Sequence, residues 1–152
     1  MREIELGVKA LTKTAVIPDY AYADDFCFDL AVDSIAVELH ADGTTTAVVG
    51  TGLAFDIPQG WGLLVFSRSG HGFKHGIRLG NGTGIIDRGY KGELMVKLIA
   101  DLKSGAEVLR NLKKGDRIAQ ATLVERPMVK FKVISDLSGS ERGVKGLGST
   151  NQ

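Results

Sequence analysis

The chain has 152 residues, 43% apolar and 24% charged, with a formal net charge of +1. That length sets one domain, and the composition excludes an acidic or low-complexity disordered chain. Near-neutrality argues against holding nucleic acid or a membrane surface by bulk electrostatics, and a single cysteine, Cys27, excludes an internal disulfide framework or a zinc site needing two thiolates.

The dominant period along the chain is two. Residues 2–10 alternate Ile4, Leu6 and Val8 against Glu3, Glu5 and Lys9, with one slip. CFDLAVD places Asp29 and Asp33 four apart, on one face if the segment is a strand. Residues 46–57, TAVVGTGLAFDI, are β-rich, and their glycines suggest a bulge. WGLLVF at 61–66 and ELMVKLI at 93–99 fit buried strands. The one helical candidate is a short, glycine-rich turn near 69–76. After Pro127, Val129, Phe131 and Val133 alternate with Lys130 and Lys132, the pattern of a half-buried strand. Turn signals such as Asp42-Gly43, Asn81-Gly82, Arg88-Gly89 and Lys114-Gly115 recur between these runs, predicting an all-β sandwich or barrel. Residues 1–138 read as the folded body. Residues 139–152 carry too little apolar surface to order themselves and read as a flexible arm. No apolar run approaches the roughly 18 residues of a membrane helix, and the start MREIELG is unlike a signal peptide. The expected location is the cytoplasm.

Five segments could carry chemistry, CFDLAVD among them, whose plainer reading is a solvated edge. SRSG at 67–70 offers a cation, two hydroxyls and a glycine N–H that can approach an anion; a strand-to-helix turn with a surface Arg68 is the plainer reading. GNGTGIIDRGYKGE at 80–93 reads as a β-hairpin with exposed backbone. Asp87 at its apolar end has either work to do or a turn to cap, and Tyr90 lies across that turn. In KKGDRIAQ at 113–120, Asp116 and Arg117 read as a structural pair or turn cap, and Gln120 can donate to a phosphate oxygen. The tail sets Arg142, Lys145, Ser149 and Thr150 among glycines, suited to closing over a polyphosphate or to no role at all. There is no GxxxxGK[ST] loop and no CxxC pair. His71 and His75 are spaced as helical metal ligands but have no evident third ligand. Cys27 and Trp61 read as packing residues.

Taken in order, CFDL near Asp29, RSGHGFKHGIRLGNGTGIIDRGYKGEL at 68–94, GDRIAQ at 115–120 and RGVKGLGST at 142–150 resemble the trimeric dUTP diphosphatase (dUTPase) family over nearly the whole chain. The resemblance implies a jelly-roll β subunit with one short helix and a mobile C-terminal arm, and a homotrimer with active sites shared between subunits. It implies magnesium-dependent hydrolysis of dUTP to dUMP and pyrophosphate by water attack at the α-phosphorus, with no nucleic-acid or membrane partner. By the same resemblance, Asp87 orients the water and meets the 3′-hydroxyl. Tyr90 packs under the deoxyribose. Asn81 and the backbone of Gly84, Ile85 and Ile86 read uracil. Ser69, Gly70 and Gln120 contact the phosphates with Arg68 in support. Asp29 lies in the outer shell of the magnesium, reached through water. Arg142, Leu147, Gly148, Ser149 and Thr150 close from the tail. Three positions depart from the family pattern: Phe26-Cys27 where Ala-Gly is usual, Ser67 where Pro is usual, and Leu147 where a Phe stacks on the base. A dUTPase-fold regulatory protein that binds a partner is the alternative. The related dCTP deaminase is a weaker one, because its catalytic Glu would fall at Lys97.

Overall fold

The structure is a computed structural model and describes residues 3–146. Its strands are β1 (Gly7–Ala10), β2 (Phe28–Ala31), β3 (Ser34–Leu39), β4 (Thr45–Gly50), β5 (Leu53–Asp56), β6 (Trp61–Phe66), β7 (Ile77–Leu79), β8 (Gly84–Ile86), β9 (Met95–Ala100) and β10 (Arg117–Glu125). One four-stranded sheet has the order β2-β10-β6-β8 and a second β3-β4-β9-β7; β1 pairs with β5 alone. All pairings are antiparallel. Alternating side chains from both four-stranded sheets enter one core. Leu30, Leu63, Val65, Ile118 and Ala121 come from the first, and Ala47, Val49, Val96, Leu98, Ile77 and Leu79 from the second. This is the all-β sandwich that the alternating pattern predicts. Among the described residues, no helix is long and apolar enough to cross a membrane.

The predicted glycine irregularity at 46–57 is a full break between β4 and β5. Gly52 turns the chain with φ +67° and donates its N–H to Glu93 Oε1 at 2.8 Å. Three expectations are corrected. First, there are two helices, α1 (Ser69–His75) and α2 (Lys103–Asn111). The second buries Gly105 and Leu109 and packs Ala106, Val108 and Leu112 against the core, a short stripe in which a mid-helix glycine lowers helix propensity. Gly105 is needed there because a Cβ would collide with the His75 carbonyl oxygen. Second, among the described residues no strand forms after Pro127. Val129, Phe131 and Val133 are 66%, 91% and 98% exposed, because the described part of the chain offers that segment no partner strand. Third, residues 80–93 are not a hairpin. β7 pairs with β9 and β8 with β6, so the Asn81-Gly82 turn carries the chain from one sheet to the other.

Candidate active site

The first cluster is built across three adjacent strands. Gln120 on β10 lies opposite Asp29 on β2 and Phe66 on β6. The chain leaving β6 therefore delivers Ser67, Arg68 and Ser69 beside Asp29 and Gln120. Asp29 receives Arg68 Nε at 3.1 Å on Oδ1 and Arg117 Nη1 at 3.0 Å on Oδ2. Gln120 Nε2 donates to the Ser67 carbonyl at 3.0 Å. Ser67 itself accepts the Leu79 N–H on Oγ at 3.0 Å, so the residue that replaces the usual proline links β6 to β7. Asp29, Arg68, Arg117 and Gln120, with Ser69, Gly70, Asp25, Phe26 and Cys27, line a cleft of about 280 Å³. A Cβ on Gly70 would meet nothing within 4 Å, so that stretch of backbone is open to a ligand.

Arg117 is the residue that sequence reasoning misassigned. Asp116 does cap its turn, accepting the Lys113 N–H at 2.7 Å. Arg117, however, reaches past it to Asp29, with its side chain 53% exposed at the cleft. Two guanidiniums thus share one carboxylate, and both keep N–H donors free at the cleft for an anion, beside a second carboxylate, Asp25, in the lining. Asp29 and Asp33 do not act together. Asp33 lies beyond the end of β2, is buried, and accepts hydrogen bonds from Thr12 and Thr14 with Lys114 at 3.7 Å. The Thr14 hydrogen bond above all, with Thr12 and the Lys114 charge, holds its carboxyl below the usual carboxylate range. Burial, then Asp25 and Asp29, push the Cys27 thiol up, so it stays protonated rather than becoming a nucleophile. Burial, then Arg68 and His75, push His71 down. Among the described residues no third His, Cys, Asp or Glu joins His71 and His75.

The same test bears on a divalent cation at the cleft. Each Asp29 oxygen accepts one guanidinium N–H and keeps another lone pair. That suits a cation that keeps its waters and meets the carboxylate through them. A dehydrated cage would need a cluster of three or more ligands, and the described residues hold none.

The second cluster lies where the chain changes sheets. Asn81, Gly84, Ile85 and Ile86 line a groove of about 530 Å³ together with Leu79, Met95 and Lys97. The Gly82 N–H closes the turn on the Leu79 carbonyl at 3.2 Å. Gly84 has no substitute, because a Cβ there would lie 2.9 Å from Val65 Cβ on the paired strand. Directly after β8, Asp87 is exposed, and its carbonyl accepts the Tyr90 N–H at 3.0 Å. The Tyr90 hydroxyl donates to the Glu93 carbonyl at 2.8 Å, and its ring covers Gly92, where a Cβ would lie 2.7 Å from that hydroxyl. The phenol is thereby held as a fixed wall beside Asp87.

The predicted residues therefore fall into two groups. Asp29, Arg68, Ser69, Gly70 and Gln120 line the cleft, Asn81, Gly84, Ile85 and Ile86 line the groove, no residue lines both, and Asp87 and Tyr90 follow β8 in the sequence but line neither. Arg142 joins neither. Its guanidinium donates to the carbonyls of Lys145 and Gly146 within the exposed tail. Leu147, Gly148, Ser149 and Thr150 lie outside the described residues.

A family model described as dUTPase matches residues 13–151. The chain belongs to the dUTPase family. A deoxyuridine 5′-triphosphate nucleotidohydrolase of Nautilia profundicola is 37% identical, covering 98% of this chain and 100% of its own. One from Helicobacter hepaticus is 36% identical over 99% and 90%. Among solved structures, a mutant dUTPase of Staphylococcus bacteriophage 80alpha with dUpNHpp superposes with a TM-score of 0.81 at 29% identity, covering 95% of this chain and 97% of that one. The likeness to these dUTPases spans cleft, groove and core together, in agreement with the ordered motifs.

Proposed function

We propose that this chain is a dUTP diphosphatase, hydrolysing dUTP to dUMP and pyrophosphate by water attack at the α-phosphorus. The full-length family match supports the activity, and the row Asp29–Arg68–Gln120 supports the phosphate end of it. Ser69, Gly70 and Gln120 bind the phosphates, and Arg68 adds charge. Asn81 and the backbone of Gly84, Ile85 and Ile86 read the uracil edge. Tyr90 packs under the deoxyribose and leaves no room for a 2′-hydroxyl. Asp87 orients the water and accepts from the 3′-hydroxyl. Phosphoryl chemistry of this kind depends on positioning and charge neutralisation more than on a strong nucleophile. Magnesium, when bound, supplies part of that neutralisation; Asp29 would hold it through water.

The same reading takes the protein as a homotrimer in the cytoplasm, with active sites shared between subunits. Two observations support the assembly: cleft and groove are separate in one chain, and the apolar positions after Pro127 are exposed. Residues 139–152 act as an arm that closes over the substrate, with Arg142, Ser149 and Thr150 on the γ-phosphate and Leu147-Gly148 over the base. Pyrophosphate release from dUTP, but not from dCTP or dTTP, tests the activity. No release from dUTP would overturn it. A solution mass of three chains is expected, and a monomer would overturn the trimer.

A further inference from the structure

Arg117 owes its place at the cleft to a break in β10. Gln120 and Ala119 pair with Asp29 and Leu30, and continuing that register would set Arg117 opposite Val32, on the face away from Asp29. The register instead shifts between Ala119 and Arg117, so that Arg117 pairs with Ala31, which shares the face of Asp29. Ile118 is the extra residue. It and Ala119 are consecutive and both 0% exposed, where strict alternation would bury only one of them. A bulge of this kind re-aims a side chain and recurs beside active sites. Here it sends Arg117 Nη1 to Asp29 Oδ2 at 3.0 Å, while Arg68 Nε holds Oδ1 at 3.1 Å. Arg68 Nη1 also donates to the Arg117 carbonyl at 3.4 Å, a backbone tie that does not depend on the side chain at 117. Among the described residues, the ion pair of the Arg117 guanidinium is with Asp29, and the adjacent Asp116 carboxylate accepts the Lys113 N–H instead.

We propose that Arg117 is a positioning residue of the cleft, acting through Asp29. The inference rests on the cleft being the phosphate end of the proposed diphosphatase. A carboxylate held on one oxygen still turns about its last bond. Held on both, it points its remaining lone pairs in fixed directions. Asp29 would meet a hydrated cation through water, and such a contact depends on the direction of its acceptor. Charge and orientation make opposite predictions for Arg117. Removing a positive charge beside a cation site would, by Coulomb's law alone, tighten the cation. Removing one arm of the clamp on Asp29 would loosen it.

The test compares wild type with Arg117→Met, which keeps an unbranched stem and removes the guanidinium, and with Arg117→Lys, which keeps the charge without the planar fork. The readouts are Mn2+ affinity, by electron paramagnetic resonance with a non-hydrolysable α,β-imido analogue of dUTP, the Mg2+ concentration that gives half-maximal dUTP turnover, and the melting temperature. Arg117→Met is expected to weaken Mn2+ binding by about tenfold or more and to raise the Mg2+ requirement by a similar factor. Arg117→Lys falls between Arg117→Met and wild type. Unchanged or tighter Mn2+ binding in Arg117→Met would overturn the proposal. Full recovery in Arg117→Lys would reduce the role to charge and overturn it equally. A lower melting temperature, with turnover lost at every Mg2+ concentration, would make the role merely structural and overturn it as well. All three leave the diphosphatase reading standing as long as the wild-type chain hydrolyses dUTP. Failure of the wild-type chain to do so would remove the reading beneath the proposal.

Discussion

Asp29 organises two cations with one carboxylate, and each arginine enters from a different part of the chain. No local pattern announces that meeting. GDR reads as a turn because Asp116 and Arg117 are neighbours, whereas the antiparallel register of β10 on β2 brings Arg117 back to Asp29. Asp87 was easier to read, because an exposed carboxylate after an apolar run stands out without tertiary knowledge. Asp87→Asn keeps the size of the side chain and removes the charge that aligns water. A kcat loss of about 10²–10⁴-fold is expected with substrate binding largely retained; single-turnover kinetics beside a binding isotherm separates the two, and a near-normal kcat would remove Asp87 from the mechanism. Tyr90 is fixed by its hydroxyl on the Glu93 carbonyl and by its ring over Gly92. UTP should therefore be a far poorer substrate than dUTP, and Tyr90→Ala should narrow the gap. Equal hydrolysis of UTP and dUTP by the wild-type enzyme would refute the steric role.

At the scale of elements, β2, β4, β6 and β9 were legible because apolar runs or alternation fixed them. The helix α2 was not, because Gly105 and three charged residues, Lys103, Glu107 and Arg110, interrupt a short apolar stripe. The post-Pro127 alternation was legible as pattern but not as structure: a strand needs a neighbour, and the described chain supplies none. The segment joining β1 to β2 is anchored through Thr12 and Thr14 on Asp33. Since the folded carboxyl of Asp33 is held below its ordinary value near 3.8, its contribution to stability is present above that pH and is lost as pH falls through the lower folded value. Asp33→Asn should thus melt at a lower temperature than wild type at pH 7, and the two melting curves should converge in acid. A constant gap down to the acid limit would show that packing, not charge, holds the segment. Removing the arm after Gly139 should leave a folded protein with kcat down by orders of magnitude. Base–aromatic stacking is worth about 1–3 kcal/mol, so Leu147→Phe should tighten dUTP binding or speed turnover by up to roughly tenfold. A harmless truncation would mean that the tail is no lid; a neutral Leu147→Phe would mean that the pocket is shaped around the smaller side chain.

For the whole molecule, the ordered motifs carried the family and the sandwich, and composition carried the size class. What they did not carry is the spacing of the two halves of the site, since that depends on which sheet each motif joins. The separation of cleft and groove also has a genetic side. In the proposed ring of three, a subunit defective at Asp87 still offers a sound cleft, and one defective at Arg68 still offers a sound groove. Two dead alleles expressed together would then rescue one another. Random co-assembly from equal amounts would leave roughly a quarter of the junctions with both halves intact. Co-expression of Asp87→Asn with Arg68→Ala should recover about that share of wild-type turnover, whereas mixing the two purified proteins without subunit exchange should recover none.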